Sequence, residues 1–222
     1  MATPRVVAFG GRPEEPVWDY VFHLSSRERP RLLYVPTAAA DDPHSILDVY
    51  DRFRGRADVS HVVFFPWPPE DLRERALSSD VILVSGGNTA NMLAVWRVHG
   101  FDAVLRDAWE SGVVLCGGSA GAICWFEASV TDSFGPQLTG MRDGLGFLAG
   151  SACPHYDSEE LRRPRYTALV RDGFPAGIAI DDLAAVRFDG TALTEVLTTR
   201  EGAGAYVVSR EGEEPLSARM LT

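Results

Sequence analysis

The sequence predicts an α/β fold in which a mostly parallel sheet is sandwiched between helices. Apolar runs rich in β-branched residues alternate with segments of helical spacing along most of the chain. These runs are continuously apolar, as expected for strands that are buried on both faces of a sheet. The last third has shorter strands separated by turn residues, which predicts short antiparallel strands near the C-terminus.

The first elements alternate regularly. Residues 5–9 form an apolar run that ends at a Gly-Gly pair, and helical spacing follows over 14–25. Residues 31–35 form the second run, which Pro-Thr closes, and 43–53 again has helical spacing. The third predicted strand is the run 61–65. Each strand is thus followed by a helix, as a parallel sheet requires.

The middle of the chain continues this order. A short helix is predicted over 69–78, where the charges change from acidic to basic. The fourth strand is 80–84, two helices follow over 90–98 and 102–110, and the fifth strand is 113–116. Ligands bind outside the carboxyl ends of parallel strands, so the Gly-Gly pairs that end three of these strands are expected on one rim.

In the last third, a helix is predicted over 159–171. Four short strands are predicted after it, separated by Asp-Asp, Asp-Gly and Glu-Gly turns: 178–180, 184–188, 195–199 and 205–209. Exposed edge strands in this region are compatible with a homodimer.

Composition limits the class of protein. The 222 residues, 45% hydrophobic and 23% charged, predict a single globular domain over 1–222. The net charge of −10 argues against nucleic acid or an anionic membrane as the partner. Lysine is absent. A lysine base or Schiff base is therefore excluded, and every fixed side-chain cation is an arginine.

The cysteines and the N-terminus predict a cytoplasmic protein. Cys116, Cys124 and Cys153 are widely spaced in apolar surroundings and read as reduced thiols. The first residues enter a strand almost at once, and no apolar run approaches 18 residues. We therefore expect neither a signal peptide nor a membrane span.

A candidate nucleophile follows the fifth strand. Ser119 lies in Gly117-Gly118-Ser119-Ala120-Gly121, between that strand and a predicted helix. A serine on such a turn is pushed out of the fold with its hydroxyl exposed, and the start of the helix favours developing negative charge. The pattern predicts a hydrolase with Ser119 as nucleophile, although similar turns also bind phosphate.

The base is expected to be His155. His23, His44, His61 and His99 lie in helical patterns or away from the rim. His155 follows a short strand and precedes a helix, so it is expected at the same rim as the nucleophile.

Three residues are candidates for the acid that orients this base. Glu127 is eight residues beyond Ser119, or about 12 Å along a regular helix. Asp157 is two residues from His155 and would share its face on a strand. Asp132 lies in a loop that can fold back to the rim. We favour Asp132 and leave Glu127 and Asp157 open.

Two backbone N–H groups are needed to stabilise the oxyanion. Ala120, which follows the nucleophile, supplies one. The second can come from the Gly86-Gly87 segment, because glycine allows close approach of the backbone. We assign Asn88 to substrate binding, a role that is compatible with capping the next helix.

Three ordered motifs together resemble a known family. Ser-Gly-Gly-Asn-Thr at 85–89, Gly-Ser-Ala-Gly-Ala at 118–122 and Pro-His at 154–155 resemble peptidase E, the aspartyl dipeptidase group of the S51 serine peptidases. The resemblance implies a class I glutamine amidotransferase-like, flavodoxin-like fold. It further implies Ser119 as nucleophile, His155 as base and Gly87 as an oxyanion donor, with neither metal nor cofactor.

The resemblance also implies a substrate, a short peptide with N-terminal Asp. An Asp side chain requires a cation, here an arginine. Arg162 and Arg165 resemble the R-x-x-R that follows the histidine in this family, although Pro164 departs from its pattern. The alternatives are a cyanophycinase-like or other small-substrate hydrolase on the same scaffold, and a non-catalytic small-molecule binding protein.

Overall fold

The computed structural model describes residues 3–222, which form two sheets and seven α-helices. The strands are β1 (Arg5–Phe9), β2 (Arg31–Val35), β3 (Asp58–His61), β4 (Val81–Val84), β5 (Val114–Gly118), β6 (Phe126–Thr131), β7 (Thr139–Met141), β8 (Leu148–Cys153), β9 (Gly177–Ile180), β10 (Ala184–Asp189), β11 (Ala192–Thr198), β12 (Ala205–Val208), β13 (Glu213–Pro215) and β14 (Arg219–Met220). The helices are α1 (Glu15–Leu24), α2 (Pro43–Arg52), α3 (Leu72–Ser78), α4 (Thr89–Val98), α5 (Phe101–Glu110), α6 (Ala120–Ile123) and α7 (Arg162–Arg171).

The first sheet has eight strands in the order β14-β11-β10-β1-β5-β4-β2-β3. Strands β1, β5, β4, β2 and β3 are parallel to one another, and β10 and β11 extend the sheet from β1 by antiparallel pairing. The predicted class, an α/β fold with a mostly parallel sheet between helices, is confirmed. The parallel strands lie within a few residues of the predicted runs, except the third.

The third strand ends earlier than predicted because a side chain takes its backbone donors. Strand β3 covers Asp58–His61, whereas the apolar run continues to Phe65. The backbone N–H groups of Phe64 and Phe65 donate to Asp41 Oδ2, at 2.6 and 3.2 Å, instead of to a neighbouring strand. Phe64 remains buried, so its apolar character reflects the core rather than the ladder.

A second sheet, which the sequence analysis does not anticipate, has six strands in the order β13-β12-β9-β8-β6-β7. Strand β8 is parallel to both β6 and β9, and the outer pairs are antiparallel. Strands β9 and β10 follow each other in the chain but belong to different sheets. The short connection between them therefore joins the two sheets.

The first sheet is buried on both faces, as its apolar runs predict. Val6 and Ala8 point into a core shared with α4, α5 and the second sheet, whereas Val7 and Phe9 point toward α1 and α2. A smaller cluster joins the second sheet to α7 through Tyr166. Within residues 3–222, no helix is both long and apolar enough to cross a membrane.

The helix after Ser119 is shorter than predicted. Helix α6 ends at Ile123, because the chain from Leu145 to Leu148 bonds to the carbonyl groups that follow it. Leu145 N–H donates to Cys124 O at 2.9 Å, and Leu148 N–H donates to Trp125 O at 3.0 Å. The chain then continues as β6, so Glu127 lies on a strand rather than on a helix.

Candidate active site

Ser119 occupies a strained turn between β5 and α6. Its φ of +54° and ψ of −117° are rare for a residue with a side chain and are typical of functional sites. The glycines around it are fixed by packing. A Cβ on Gly118 would lie 2.5 Å from Gly11 O, and one on Gly121 would lie 2.3 Å from Val84 O. The turn therefore accepts no side chain at these positions and leaves Ser119 half-buried.

His155 is paired with Asp182. The distance between His155 Nδ1 and Asp182 Oδ1 is 2.7 Å, and the two side chains are 21% and 30% exposed. An ionised carboxylate only accepts hydrogen bonds, so Nδ1 carries the proton and donates it. The other ring nitrogen, Nε2, is then the one that can accept a proton.

The backbone around this pair is held in place. His155 N–H donates to Gly10 O at 3.1 Å, and Asp182 N–H donates to Asp157 Oδ1 at 2.8 Å. Arg200 forms an ion pair with that same Asp157 carboxylate. These bonds fix the two chain segments that carry the imidazole and its carboxylate.

Gly11 lies against the same pair. A Cβ on Gly11 would be 2.2 Å from Asp182 Oδ1 and 3.3 Å from His155 Cε1. Only a residue without a side chain leaves room for this hydrogen bond. This requirement explains Gly11, the second glycine of the pair that follows β1.

Ser119 and His155 both line one cavity of about 860 Å³. It extends from the end of β5 to α2, and Phe9, Trp18 and Tyr34 supply aromatic surface. Cavities of about 300–1,000 Å³ with a few polar groups are typical of small-molecule sites. The cavity thus has the size for a short peptide, next to a serine and a histidine.

Two backbone donors flank the serine. A Cβ on Gly86 would lie 3.4 Å from Ser119 Cβ, so this segment contacts the turn directly. Gly87 has a φ of +133°, and a Cβ there would be 2.0 Å from Ala38 O. Within residues 3–222, the backbone N–H groups of Gly87 and Ala120 have no hydrogen-bond acceptor. Neither N–H group is therefore used by another group in this part of the chain.

None of the three candidate acids hydrogen-bonds to the His155 ring, whose partner is Asp182. Asp132 is exposed in the turn after β6. Glu127 lies on β6, where its Oε2 accepts the N–H of Gly150 at 2.8 Å. Asp157 instead binds the backbone of Asp182. The expectation of Asp132 or Glu127 as the partner of His155 is corrected to Asp182, because Asp182 bonds to Nδ1 while Asp132 lies in an exposed turn and the Glu127 carboxylate accepts from Gly150.

The two arginines expected to bind substrate have structural partners instead. Arg162 is 4% exposed, pairs with Glu159 at 2.7 Å and donates to Val130 O at 3.2 Å. Arg165 donates to Leu138 O at 2.9 Å. Neither lines the cavity. The assignment of Arg162 and Arg165 to substrate binding is therefore corrected.

Asn88 caps α4. Its Oδ1 accepts the N–H of Asn91 at 2.9 Å, and its Nδ2 donates to Ser133 O at 2.9 Å. Because both ends of the amide are used and Asn88 does not line the cavity, the structure supports capping rather than substrate contact.

The sequence does not single out Asp182, because Asp181-Asp182 is typical of a turn. His155 and Asp182 each lie two residues beyond the ends of β8 and β9, which are parallel neighbours. Carboxyl ends of parallel strands meet at one edge, so this arrangement brings the two side chains together. Recognising residues 178–180 as a parallel strand would have revealed it.

Asp181, the residue before Asp182, is buried at 2% exposure. Its Oδ2 accepts the N–H of Gly204 at 3.0 Å, and within residues 3–222 its Oδ1 has no partner. Burial, together with the charge of Asp157, raises the pKa of the Asp181 carboxyl. The connection between the sheets thus carries one buried and one accessible acid.

The three cysteines are buried and form no disulfide. Burial raises the pKa of the Cys153 thiol to about 12, and it also raises the pKa values of Cys116 and Cys124. Such thiols are inert at neutral pH. Across residues 3–222, no group of three or more His, Cys, Asp or Glu side chains could hold a metal ion.

Comparison with known proteins gives a consistent result. The sequence model of Peptidase family S51 matches residues 8–196. The "Uncharacterized peptidase YgaJ" of Bacillus subtilis (strain 168) is 45% identical over 229 residues, which cover 98% of this chain and 99% of that protein.

Two solved structures, both described as peptidases, have a similar fold. A peptidase from an acI-B1 Actinobacterium is 17% identical with a TM-score of 0.69, over 97% of this chain and 95% of that chain. A putative peptidase E protein from Listeria monocytogenes EGD-e is 16% identical with a TM-score of 0.63, over 97% of this chain and 100% of that chain. At these identities the likeness concerns the fold.

Proposed function

Because the chain belongs to peptidase family S51, we propose that it is a serine peptidase that hydrolyses short peptides, with Ser119, His155 and Asp182 as its triad. The observation that carries this proposal is the 2.7 Å hydrogen bond from His155 to Asp182 beside a strained serine. Nucleophile and base line one cavity, which is the arrangement that nucleophilic catalysis needs.

In the first half of the reaction, His155 Nε2 takes the proton of the Ser119 hydroxyl while Oγ attacks the peptide carbonyl carbon. Asp182 stabilises the imidazolium that forms and keeps the ring in the correct tautomer. The tetrahedral intermediate then collapses. The C–N bond breaks, and His155 gives its proton to the leaving amine.

In the second half, water replaces the amine. His155 removes a proton from the water, and the hydroxide attacks the acyl-serine carbonyl. The bond to Oγ breaks, Ser119 regains its proton from His155, and the peptide acid leaves. Apart from water, no step needs an oxidant, a reductant or a further substrate.

The oxyanion formed in each half is assigned to the N–H groups of Gly87 and Ala120. Support comes from their position on either side of the serine turn and from their lack of an acceptor within residues 3–222. Donors fixed in this way require no reorganisation when charge develops.

The proposed substrates are dipeptides with N-terminal Asp. Family membership and a cavity of about 860 Å³ support a short peptide. An acidic substrate also needs a cation. Arg12 and Arg52 line the cavity, whereas the arginines expected from the sequence do not.

The proposal is tested by hydrolysis of Asp-p-nitroanilide against the Ala, Glu and Leu p-nitroanilides, with Ser119→Ala as control. Asp-selective turnover that is lost in the variant supports both the peptidase and its preference. Turnover that is unchanged in the variant removes Ser119 from the mechanism.

Two further reagents separate the alternatives. Ester substrates that are cleaved in place of the anilides indicate another hydrolase on this scaffold. Failure of a serine-reactive phosphonate to label Ser119 in the native protein indicates a binding protein.

A further inference from the structure

One arginine at the cavity, Arg12, has no partner among residues 3–222. Nearly all arginine side chains of residues 3–222 form an ion pair or donate to a carbonyl group. The three that do neither are Arg12, Arg171 and Arg210, and of these only Arg12 lines the cavity. A guanidinium left unpaired among so many paired ones is available to a ligand.

The segment that carries Arg12 is anchored on both sides. Gly10 N–H donates to Ala184 O at 3.0 Å, and Gly10 O accepts the N–H of His155 at 3.1 Å. Arg52 Nη2 donates to Pro13 O at 3.1 Å. Because Pro13 also restricts the backbone of the residue before it, the exposed Arg12 side chain extends from a backbone of restricted conformation.

Arg12 is also the only unengaged cation of the cavity within residues 3–222. The other cation that lines it, Arg52, pairs with Glu15 at 2.9 Å and packs over the Trp18 ring. Helix α2 also lines the cavity and contributes acidic residues, among them Asp48. A carboxylate entering this cavity is therefore repelled by α2 and attracted at Arg12.

We propose that Arg12 binds a carboxylate group of the short peptide substrate; this inference rests on the proposed function. Gly11 lies against His155 Cε1, so Arg12 follows the residue that touches the base. His155 protonates the leaving amine, which favours the α-carboxylate of the leaving residue as the ligand. The side-chain carboxylate of an N-terminal Asp is the second source of the same chemistry.

The test compares Arg12→Gln with Arg210→Gln, which removes an unpaired arginine outside the cavity. The substrates are Asp-Ala, its C-terminal amide and Asn-Ala. Loss of a hydrogen bond to a charged group predicts that kcat/KM falls about 10- to 100-fold in Arg12→Gln for the recognised carboxylate. Arg12→Lys should recover part of this loss, and Arg210→Gln should match the unmodified protein.

The substrates identify the source. A loss confined to Asp-Ala and Asn-Ala assigns the α-carboxylate to Arg12, whereas a loss confined to Asp-Ala and its amide assigns the Asp side chain. An equal loss for all three substrates, or no loss, overturns the proposal.

Binding is measured separately from catalysis, by calorimetric titration of Asp-Ala into Ser119→Ala protein with and without Arg12→Gln. The same 10- to 100-fold weakening is expected. If the enzyme cleaves no peptide but binding depends on Arg12, the proposed reaction fails and the carboxylate site stands. If binding is independent of Arg12, the carboxylate site fails whatever the catalytic result.

Discussion

Asp182→Asn should reduce kcat/KM by about 10²- to 10⁴-fold while the protein remains folded. An amide at this position no longer fixes the proton on His155 Nδ1, and it gives no charge to stabilise the imidazolium. Replacing the buried acid of a serine triad costs about 10⁴-fold. Asp182 is 30% exposed, so water can stabilise part of the charge on the imidazolium in its place. The expected loss of kcat/KM therefore extends down to about 10²-fold. At 1.36 kcal/mol per tenfold change, the loss is about 3–5 kcal/mol of transition-state stabilisation.

The assay is Asp-p-nitroanilide hydrolysis, with thermal unfolding to verify the fold. Asp132→Asn and Glu127→Gln make the same change of charge at the other candidate acids and should stay within about threefold of the unmodified protein, as expected for sites away from the reacting groups. Full activity in Asp182→Asn, or an equal loss in Asp132→Asn, would refute the assignment of the acid.

Three further results are expected. Gly11→Ala should lower kcat at least about tenfold with little change in Tm, because its Cβ would displace only the end of the Asp182 side chain. The control is Gly204→Ala, whose Cβ would meet no atom closer than 3.8 Å. Equal kcat values for the two variants would contradict the packing argument. Iodoacetamide at pH 8 should leave the native protein unlabelled and active, since burial raises the thiol pKa values, to about 12 for Cys153; stoichiometric labelling with inactivation would overturn this. Asp181→Asn should raise Tm more at pH 7 than at pH 4. Folding raises the pKa of the Asp181 carboxyl, so its contribution to stability is lost as the pH rises through the folded-state pKa. An equal increase in Tm at both pH values would contradict this prediction.

Much of the first sheet could be predicted because its signals are local. The runs that form β1 and β2 match their strands residue for residue, since continuous apolar character marks a strand buried on both faces. The third strand was misplaced because Asp41, more than twenty residues earlier in the chain, takes the backbone donors of Phe64 and Phe65. A side chain distant in sequence decides the end of that strand.

The second sheet could not be predicted because its pairings are distant in sequence. Strand β6 pairs with β8, and β9 pairs with β8 and β12. The mixed sequence of β6 has no strong period and predicts no strand there, so the separation of Glu127 from Ser119 is expected along a regular helix, whereas Glu127 lies on a strand.

The candidate site, like the second sheet, depends partly on contacts between segments that are distant in sequence. Ser119 and His155 were predicted from the residues beside them in the sequence, and the structure brings both to one cavity. Their catalytic roles stay proposals. The acid and the unpaired cation depend on how segments far apart in the chain meet, which neither spacing nor composition reveals.

The division of the proposed triad between two sheets has a consequence during synthesis. Ser119 follows β5 of the first sheet, whereas His155 and Asp182 follow β8 and β9 of the second. A chain still growing on the ribosome exposes its serine long before the partners that would activate it. Strand β1 also acquires its neighbour β10 only after Asp182 has been made. The proposed triad is therefore complete only after synthesis has passed the connection between the sheets, when the fold itself is nearly complete.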